Sequence, residues 1–203
     1  MNAHRISIVS LLGAVFLVTS CQQLPEQLGL AVELKPVAGR LTAVNPNDVV
    51  VAPIEFAEEG LQAPEQLLRQ AAVGSLIARR YAPLSLGFVD ASIPESLAGG
   101  VLKASYRPGS LGEDAVLRII VHEWDTSLWD LRNALMVDLE FIMEDPGDSG
   151  QELWHARMKQ RFDFEKQART AATESALLSV AMRVMTDEIC SQLPQRAVLP
   201  GAQ

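Results

Sequence analysis

Three histidines and two cysteines are the residues of this 203-residue chain best suited to chemistry. His122 is followed by Glu123 and Asp125, a run that would suit a metal ion if its side chains converged. On a strand, however, adjacent side chains point to opposite faces, and metal sites draw ligands from several elements. The helical HExxH spacing needs a second histidine at position 126, which is Thr126. Neither a metal nor another cofactor is expected. Ser110 sits in Gly109-Ser110-Leu111-Gly112, which is not the G-x-S-x-G elbow of a serine nucleophile. Cys190 follows Asp187 and Glu188, an acidic setting opposite to the one that activates a thiol. Gly99-Gly100 is not followed by the Lys-Ser/Thr pair of a phosphate-binding loop. Glu58-Glu59, and Asp138 with Glu140, read as solvated charge. The expectation is a protein with no catalytic residues, not an enzyme.

Cys21 is different. The chain opens with His4 and Arg5, continues with an apolar run from Ile6 to Val18, and then has the small residues Thr19 and Ser20. A positive start, a short apolar stretch and small residues at a cleavage point describe a secretory signal peptide. The run falls short of the ~20 apolar residues a membrane-spanning helix needs. Val18-Thr19-Ser20-Cys21 resembles the lipobox of bacterial lipoproteins. That resemblance implies removal of residues 1–20 and acylation of Cys21 with diacylglycerol and a further chain such as palmitate. A single acyl chain, at about 0.8 kcal/mol per buried CH₂, binds a membrane marginally, whereas two or more anchor it stably. Gln22 stands where lipoproteins kept at the inner membrane often carry Asp, so the sorting resemblance implies the outer membrane and a periplasm-facing domain. With Cys21 lipidated, Cys190 has no partner in the chain and reads as a small core residue.

The chain carries 17 basic and 25 acidic side chains, a net charge of −8. Cleavage removes Arg5 and no acid, so the mature protein is still more acidic. Nucleic-acid binding rests on neutralising phosphates and is excluded by this balance. The same acidity argues against a basic contact with anionic lipid, leaving the acyl groups on Cys21 to touch the membrane.

Some 182 residues follow Cys21, the size of one domain with its own core. Residues 21–47 read as lipidated cysteine and tether, punctuated by Pro25, Pro36, Gly39 and Pro46, although Leu28, Leu30, Val32 and Leu34 alternate and could pack. The domain spans 48–194. Val49-Val50-Val51 is a short apolar run suited to a strand buried on both faces. Pro64 and Glu65 open a helix with Leu67, Leu68, Ala71, Ala72, Ser75 and Leu76 at helical spacing, closed by Pro83. A second strand is placed within Leu84–Val89. Three long strands follow: one over 115–124, one from Leu131 to Met143 with Leu135, Val137, Leu139 and Phe141 on one face, and one over 152–164. Asp145-Pro146-Gly147-Asp148-Ser149-Gly150 is the turn between the last two. Thr170 to Leu193 is a closing helix ended by Pro194, and 195–203 is a frayed tail. The fold class is α/β, a mixed sheet of about five strands with a βαβ opening, an antiparallel three-stranded meander, and packed helices including a long C-terminal one.

Glu113-Asp114-Ala115-Val116-Leu117, Trp124-Asp125-Thr126, the 145–150 turn and Glu152-Leu153-Trp154 together resemble a family of bacterial lipoproteins whose best-known member is a neisserial surface-antigen candidate. Val49-Val50-Val51-Ala52-Pro53 fits that family's first strand, which also ends in proline; of its second strand only Tyr81-Ala82-Pro83 keeps a trace. The resemblance covers roughly residues 48–190. It implies a fold similar to the amino-terminal domain of TolB, shared by CsgG-type secretion lipoproteins and LpoB-type activators of cell-wall synthases, and it carries no catalytic residues. The expected role is a non-enzymatic module that binds envelope proteins in assembly, secretion or transport, with homo-oligomerisation among the contacts open to it. The alternative is an auxiliary that binds a small ligand or lipid for a transport system. Trp154 falls in register with Met158 and Phe162 and reads as core, while Trp124 and Trp129, at a strand–loop junction, are the candidate interaction surface.

Overall fold

The computed structural model describes residues 31–34, 40–93, 97–98, 101–102, 106–147 and 150–198; the expected signal peptide, Cys21 and Gly99-Gly100 lie outside them. The elements run β1 (Ala31–Leu34), α1 (Arg40–Val44), β2 (Asp48–Val51), β3 (Glu55–Phe56), α2 (Glu65–Ala78), β4 (Ala82–Pro83), α3 (Leu86–Ser92), β5 (Leu97–Ala98), β6 (Val101–Leu102), β7 (Ala115–Asp125), α4 (Trp129–Arg132), β8 (Ala134–Asp145), β9 (Gln151–Asp163), α5 (Glu165–Ala168) and α6 (Glu174–Cys190). One mixed sheet has the order β1-β9-β8-β7-β2-β4, with β3 also pairing β7; β5 and β6 form a separate small hairpin. The opening is βαβ, with β2 parallel to both β4 and β7, and β7-β8-β9 is the antiparallel meander.

β2 is central because its valines have apolar partners on both sides. Val49 and Val51 join the main core, while Val50 packs with Ala52, Val89 and Val116 in a second cluster on the opposite face. The main core lies between the sheet and helices α2 and α6. Leu68, Ala72 and Leu76 from α2 and Leu177, Ala181, Met182, Met185 and Ile189 from α6 meet Leu117, Ile119, Leu139, Phe141 and Met158. These positions follow the 3.6-residue period on the helices and the two-residue period on the strands.

Several boundaries differ from the sequence reading. The second strand is Ala82–Pro83 rather than part of Leu84–Val89, and it is an edge strand, where a proline's missing N–H does no harm. Leu86–Ser92 is instead a helix, capped by the Ser85 hydroxyl, which accepts from Phe88 N. The strand expected from Leu131 begins at Ala134. Residues 129–132 form a helical turn closed by Asn133 in the left-handed region, φ 49°, a conformation asparagine tolerates. The supposed tether contains β1, which pairs β9 over Ala31–Leu34, and α1, whose Leu41 is buried. Finally, α6 begins at Glu174, where the Thr173 hydroxyl accepts from Ala176 N at 3.1 Å. The segment after it is tied down as far as Ala197: Tyr81 donates to Pro194 O at 2.9 Å, Arg196 N to Arg79 O at 3.0 Å and Ala197 N to Asn45 Oδ1 at 3.0 Å.

Candidate functional site: the two surfaces of the meander

The face of β7, β8 and β9 turned away from the main core carries the residues that looked chemical in the sequence. A β-bulge creates part of this arrangement. Val121 pairs Leu139 and Glu123 pairs Asp138, so His122 is the extra residue between them. At such a bulge two consecutive side chains share a face. His122 and Glu123 therefore do not diverge as simple alternation demands; both reach partners on the same side. His122 Nε2 lies 2.6 Å from Glu140 Oε2, and Lys159 Nζ lies 2.7 Å from Glu123 Oε2.

Glu140 is shared. Its Oε1 lies 2.6 Å from His155 Nε2, and the other ring nitrogen of His155 lies 3.2 Å from Glu152 Oε2. Both nitrogens of His155, a residue 2% exposed, thus face carboxylate oxygens, leaving neither for a metal or a substrate proton. Burial alone would push the Glu140 carboxyl up, but hydrogen bonds and charge from His122 and His155 outweigh it and hold the group below the usual carboxylate range. Farther along, Arg157 binds Asp138 through two hydrogen bonds of 2.8 and 2.9 Å, holding that carboxyl low against the opposing effect of burial. Arg118 bridges Glu55 at 2.7 Å and Glu144 at 2.6 Å. Asp138 and Glu140 are thus not solvated charge: they are members of a ladder of paired ions. Among the described residues no cluster of His, Cys, Asp and Glu has the arrangement to hold a metal ion.

The second surface is the end of the sheet where α4 links β7 to β8. Trp124 is half-buried against the main core. Trp129 is 9% exposed, its ring edge-on to Phe164 with centroids 6.1 Å apart, and Phe164 in turn stacks on Phe162 at 5.9 Å. Trp129 therefore seals the rim of the core and offers little surface to a partner. The exposed apolar side chain here is Leu131, 81% exposed. The turn that presents it is fixed by hydrogen bonds from Trp129 N to Thr126 O, Arg132 N to Leu128 O and Phe164 N to Asn133 O.

The chain matches no family model and no curated protein. Among solved structures it is similar to the PelC dodecamer from Paraburkholderia phytofirmans, with 15% identity over 83% of this chain and 99% of that one and a TM-score of 0.47. The lipoprotein GNA1162 from Neisseria meningitidis has 21% identity over 72% of this chain and 99% of that one, also at 0.47. The hypothetical protein CT253 from Chlamydia trachomatis has 10% identity over 72% and 92%, at 0.41. Likeness at this level assigns no function to the chain.

Two buried ionic groups escaped the sequence reading. Arg69, 3% exposed, reaches from α2 to Asp90 Oδ1 at 2.7 Å and Val51 O at 2.9 Å, tying the end of β2 to α3. An arginine next to Leu68 on the stripe's flank was the available signal; its partner 21 residues on was not. Glu113 accepts from Tyr106 Oη at 2.5 Å, Gly109 N at 2.6 Å and Leu111 N at 3.0 Å, which folds the loop before β7. Burial raises its carboxyl, yet these hydrogen bonds prevail and lower it; the same burial pushes the Tyr106 hydroxyl up to about 12. Cys190 is buried, and burial pushes its thiol up to about 12, the opposite of an activated nucleophile.

Proposed function

We propose that the protein is a lipoprotein of the bacterial envelope, anchored through Cys21, whose α/β domain works by binding other envelope proteins and performs no chemistry of its own. The observation that carries this reading is Val18-Thr19-Ser20-Cys21 after a short apolar run, ten residues ahead of the first strand of a folded domain. Two features support it. No described helix is long and apolar enough to cross a membrane, and a lipid on Cys21 would supply the attachment. His122 and His155 are committed to carboxylates and the thiol of Cys190 is buried. Gln22 favours the outer membrane, with the domain in the periplasm, and partners there include envelope proteins or further copies of the chain. The test is the intact mass of the protein from the membrane fraction, wild type beside Cys21→Ser. A mass equal to the chain from Cys21 plus diacylglyceryl and acyl groups, lost in the variant, is the expected result; an uncleaved or unmodified mass overturns the reading.

One observation favours a second reading, an auxiliary that carries a small ligand or lipid. A groove of about 400 Å³ lies between α2 and α6, lined by Leu67, Ala71, Gly74 and Ala78 with Gln70, Ser179, Arg183 and Asp187. Its size is within the ~300–1,000 Å³ of small-molecule sites. Native mass spectrometry of the detergent-extracted protein would show a bound lipid surviving extraction, and Gly74→Leu should abolish it.

A further inference from the structure

The acidic net charge argues against contact between protein surface and lipid, but net charge says nothing about where the charges sit. The register of β1 does locate them relative to the anchor. β1 pairs antiparallel with β9, Ala31 opposite Lys159 and Leu34 opposite Ala156. The chain therefore enters the sheet from the α4 end and runs away from it. Lys159 pairs Asp138, four residues from the start of β8 at Ala134 and seven from its other end at Asp145. At about 3.3 Å per residue, Ala31 lies ~13 Å from the α4 end and ~23 Å from the other. The ten residue steps back to Cys21 reach at most ~35 Å, so the acylated cysteine reaches a bilayer beneath the α4 end with chain to spare. To set the opposite end on the bilayer, the chain would have to double back past the sheet.

The two ends also differ in chemistry. Among the described residues of 143–152, at the far end, Glu144, Asp145 and Glu152 are acidic and none is basic. Glu144 is paired to Arg118, Glu152 faces His155, and Arg107 is the exposed cation of the adjoining loop. At the near end Leu131 stands exposed on a turn fixed by Trp129 and Phe164. Arg132, Arg161 and Lys166 are exposed there and have no carboxylate partner among the described residues. Most acids of this end are engaged locally: Asp125 accepts from Ser127 N at 2.8 Å, Asp163 from Glu165 N at 3.0 Å, and Glu165 pairs Arg169. Asp130 is exposed on α4 itself, and Glu58 and Glu59 belong to the β3 side, across β7 from β9. An apolar side chain flanked by cations suits a headgroup layer. The side chain enters the acyl boundary and the cations meet phosphates, at about 1 kcal/mol for each Lys or Arg near an anionic surface.

We propose that the α4 end of the sheet rests on the anchoring membrane, with Leu131 in the interface and Arg132, Arg161 and Lys166 on lipid phosphates, so that the acidic 143–152 end points away from the bilayer. This orientation rests on the reading of Cys21 as the anchor. The experiment uses the full, lipidated protein in vesicles of phosphatidylethanolamine and phosphatidylglycerol, with a single environment-sensitive fluorophore on Leu131→Cys or, as the far-end control, Ser110→Cys. Ser110 is exposed in the loop whose Gly109 lies against Pro146 of the far turn. Cys190 is buried and stays unlabelled. Flotation with the vesicles tests the anchor by itself; failure to float sinks that reading. Given flotation, the expected result is a blue-shifted emission at 131 that lipid-borne headgroup quenchers extinguish, with emission at 110 unshifted and quenched only from the aqueous phase. Equal behaviour at both positions overturns the orientation. So does a label at 131 shielded from aqueous quenchers yet untouched by the lipid-borne ones, which would place a protein over it.

Discussion

The charged ladder of the meander and the α4 end of the same sheet stand in contrast. The ladder holds the histidines and carboxylates that invite a mechanistic reading, yet its ions are committed to one another. Glu140 serves two imidazoles, Asp138 takes a bidentate arginine, and Arg118 spans two glutamates. The α4 end contains nothing reactive, yet it leaves a leucine exposed and three cations with no carboxylate partner among the described residues. Reactive residue types show where chemistry could occur; unmet interactions show where a partner fits. In this chain the two criteria select different places.

The largest effect expected at either region comes from the residue that roots the exposed turn. Trp129 packs into the core against Phe164, so Trp129→Ala should lose about 3–5 kcal/mol in chemical denaturation, as truncations of buried aromatics do. A loss near zero would return Trp129 to the surface and restore it as a docking residue. Next is Glu140→Gln. The amide keeps the shape but cannot accept from both imidazoles through two oxygens, which strands a polar atom of the buried His155; about 1–3 kcal/mol should be lost. Unchanged stability would mean that the ladder is solvated charge after all.

Acid titration follows from the same geometry. Glu113, Asp138 and Glu140 are all held below their ordinary carboxyl range in the folded protein. A depressed folded pKa means that the unfolded chain binds protons first. The stability these groups contribute is complete above the ordinary carboxyl range, about 4, and disappears as pH falls through the lower folded values. Denaturation midpoints should therefore fall steeply below about pH 4, and less steeply in Glu140→Gln, which has one such group fewer. An acid limb of the same slope in both proteins would remove Glu140 from the account.

The strands and the long helix were legible because their apolar core residues recur at a fixed period. Leu135, Val137, Leu139 and Phe141 fall two residues apart, with Asp138 and Glu140 marking the other face, and Leu177, Ala181, Met185 and Ile189 recur with the turn of a helix. The short elements were not. Leu131 fits the alternation of β8 by residue type, and only the packing of Trp129 on Phe164, 35 residues away, turns the chain there into a helical turn. The bulge at His122 is equally silent: one extra residue reverses the facing of Glu123, and nothing in an apolar pattern records which strand carries the insertion. Tyr81-Ala82-Pro83 is too short to show a period, and the family resemblance, not periodicity, pointed to it as strand. At the strand–loop junction that carries Trp124 and Trp129, the side chain left exposed is Leu131, and its place on a short helical turn is what the alternation of residue types did not show.

The smallest change in stability should come from the residue with most at stake in the proposed membrane contact. Leu131 is 81% exposed on a turn whose fixing hydrogen bonds run between backbone groups, so Leu131→Ser removes no buried contact and breaks no cap. Its unfolding free energy should stay within about 0.5 kcal/mol of wild type, the usual span for surface substitutions. The same substitution removes the apolar side chain that the α4 end would insert between headgroups. In the vesicle experiment a fluorophore at the neighbouring exposed position, Asp130→Cys, should then lose its blue shift when Leu131→Ser is added, while flotation through the lipid on Cys21 persists. A substitution silent in stability but visible in depth separates a membrane-facing leucine from an ordinary exposed one. If the label at 130 reads the same whether Leu131 is kept or replaced, the leucine is one of the scattered apolar residues any protein surface carries, and the contrast between the two ends reduces to charge.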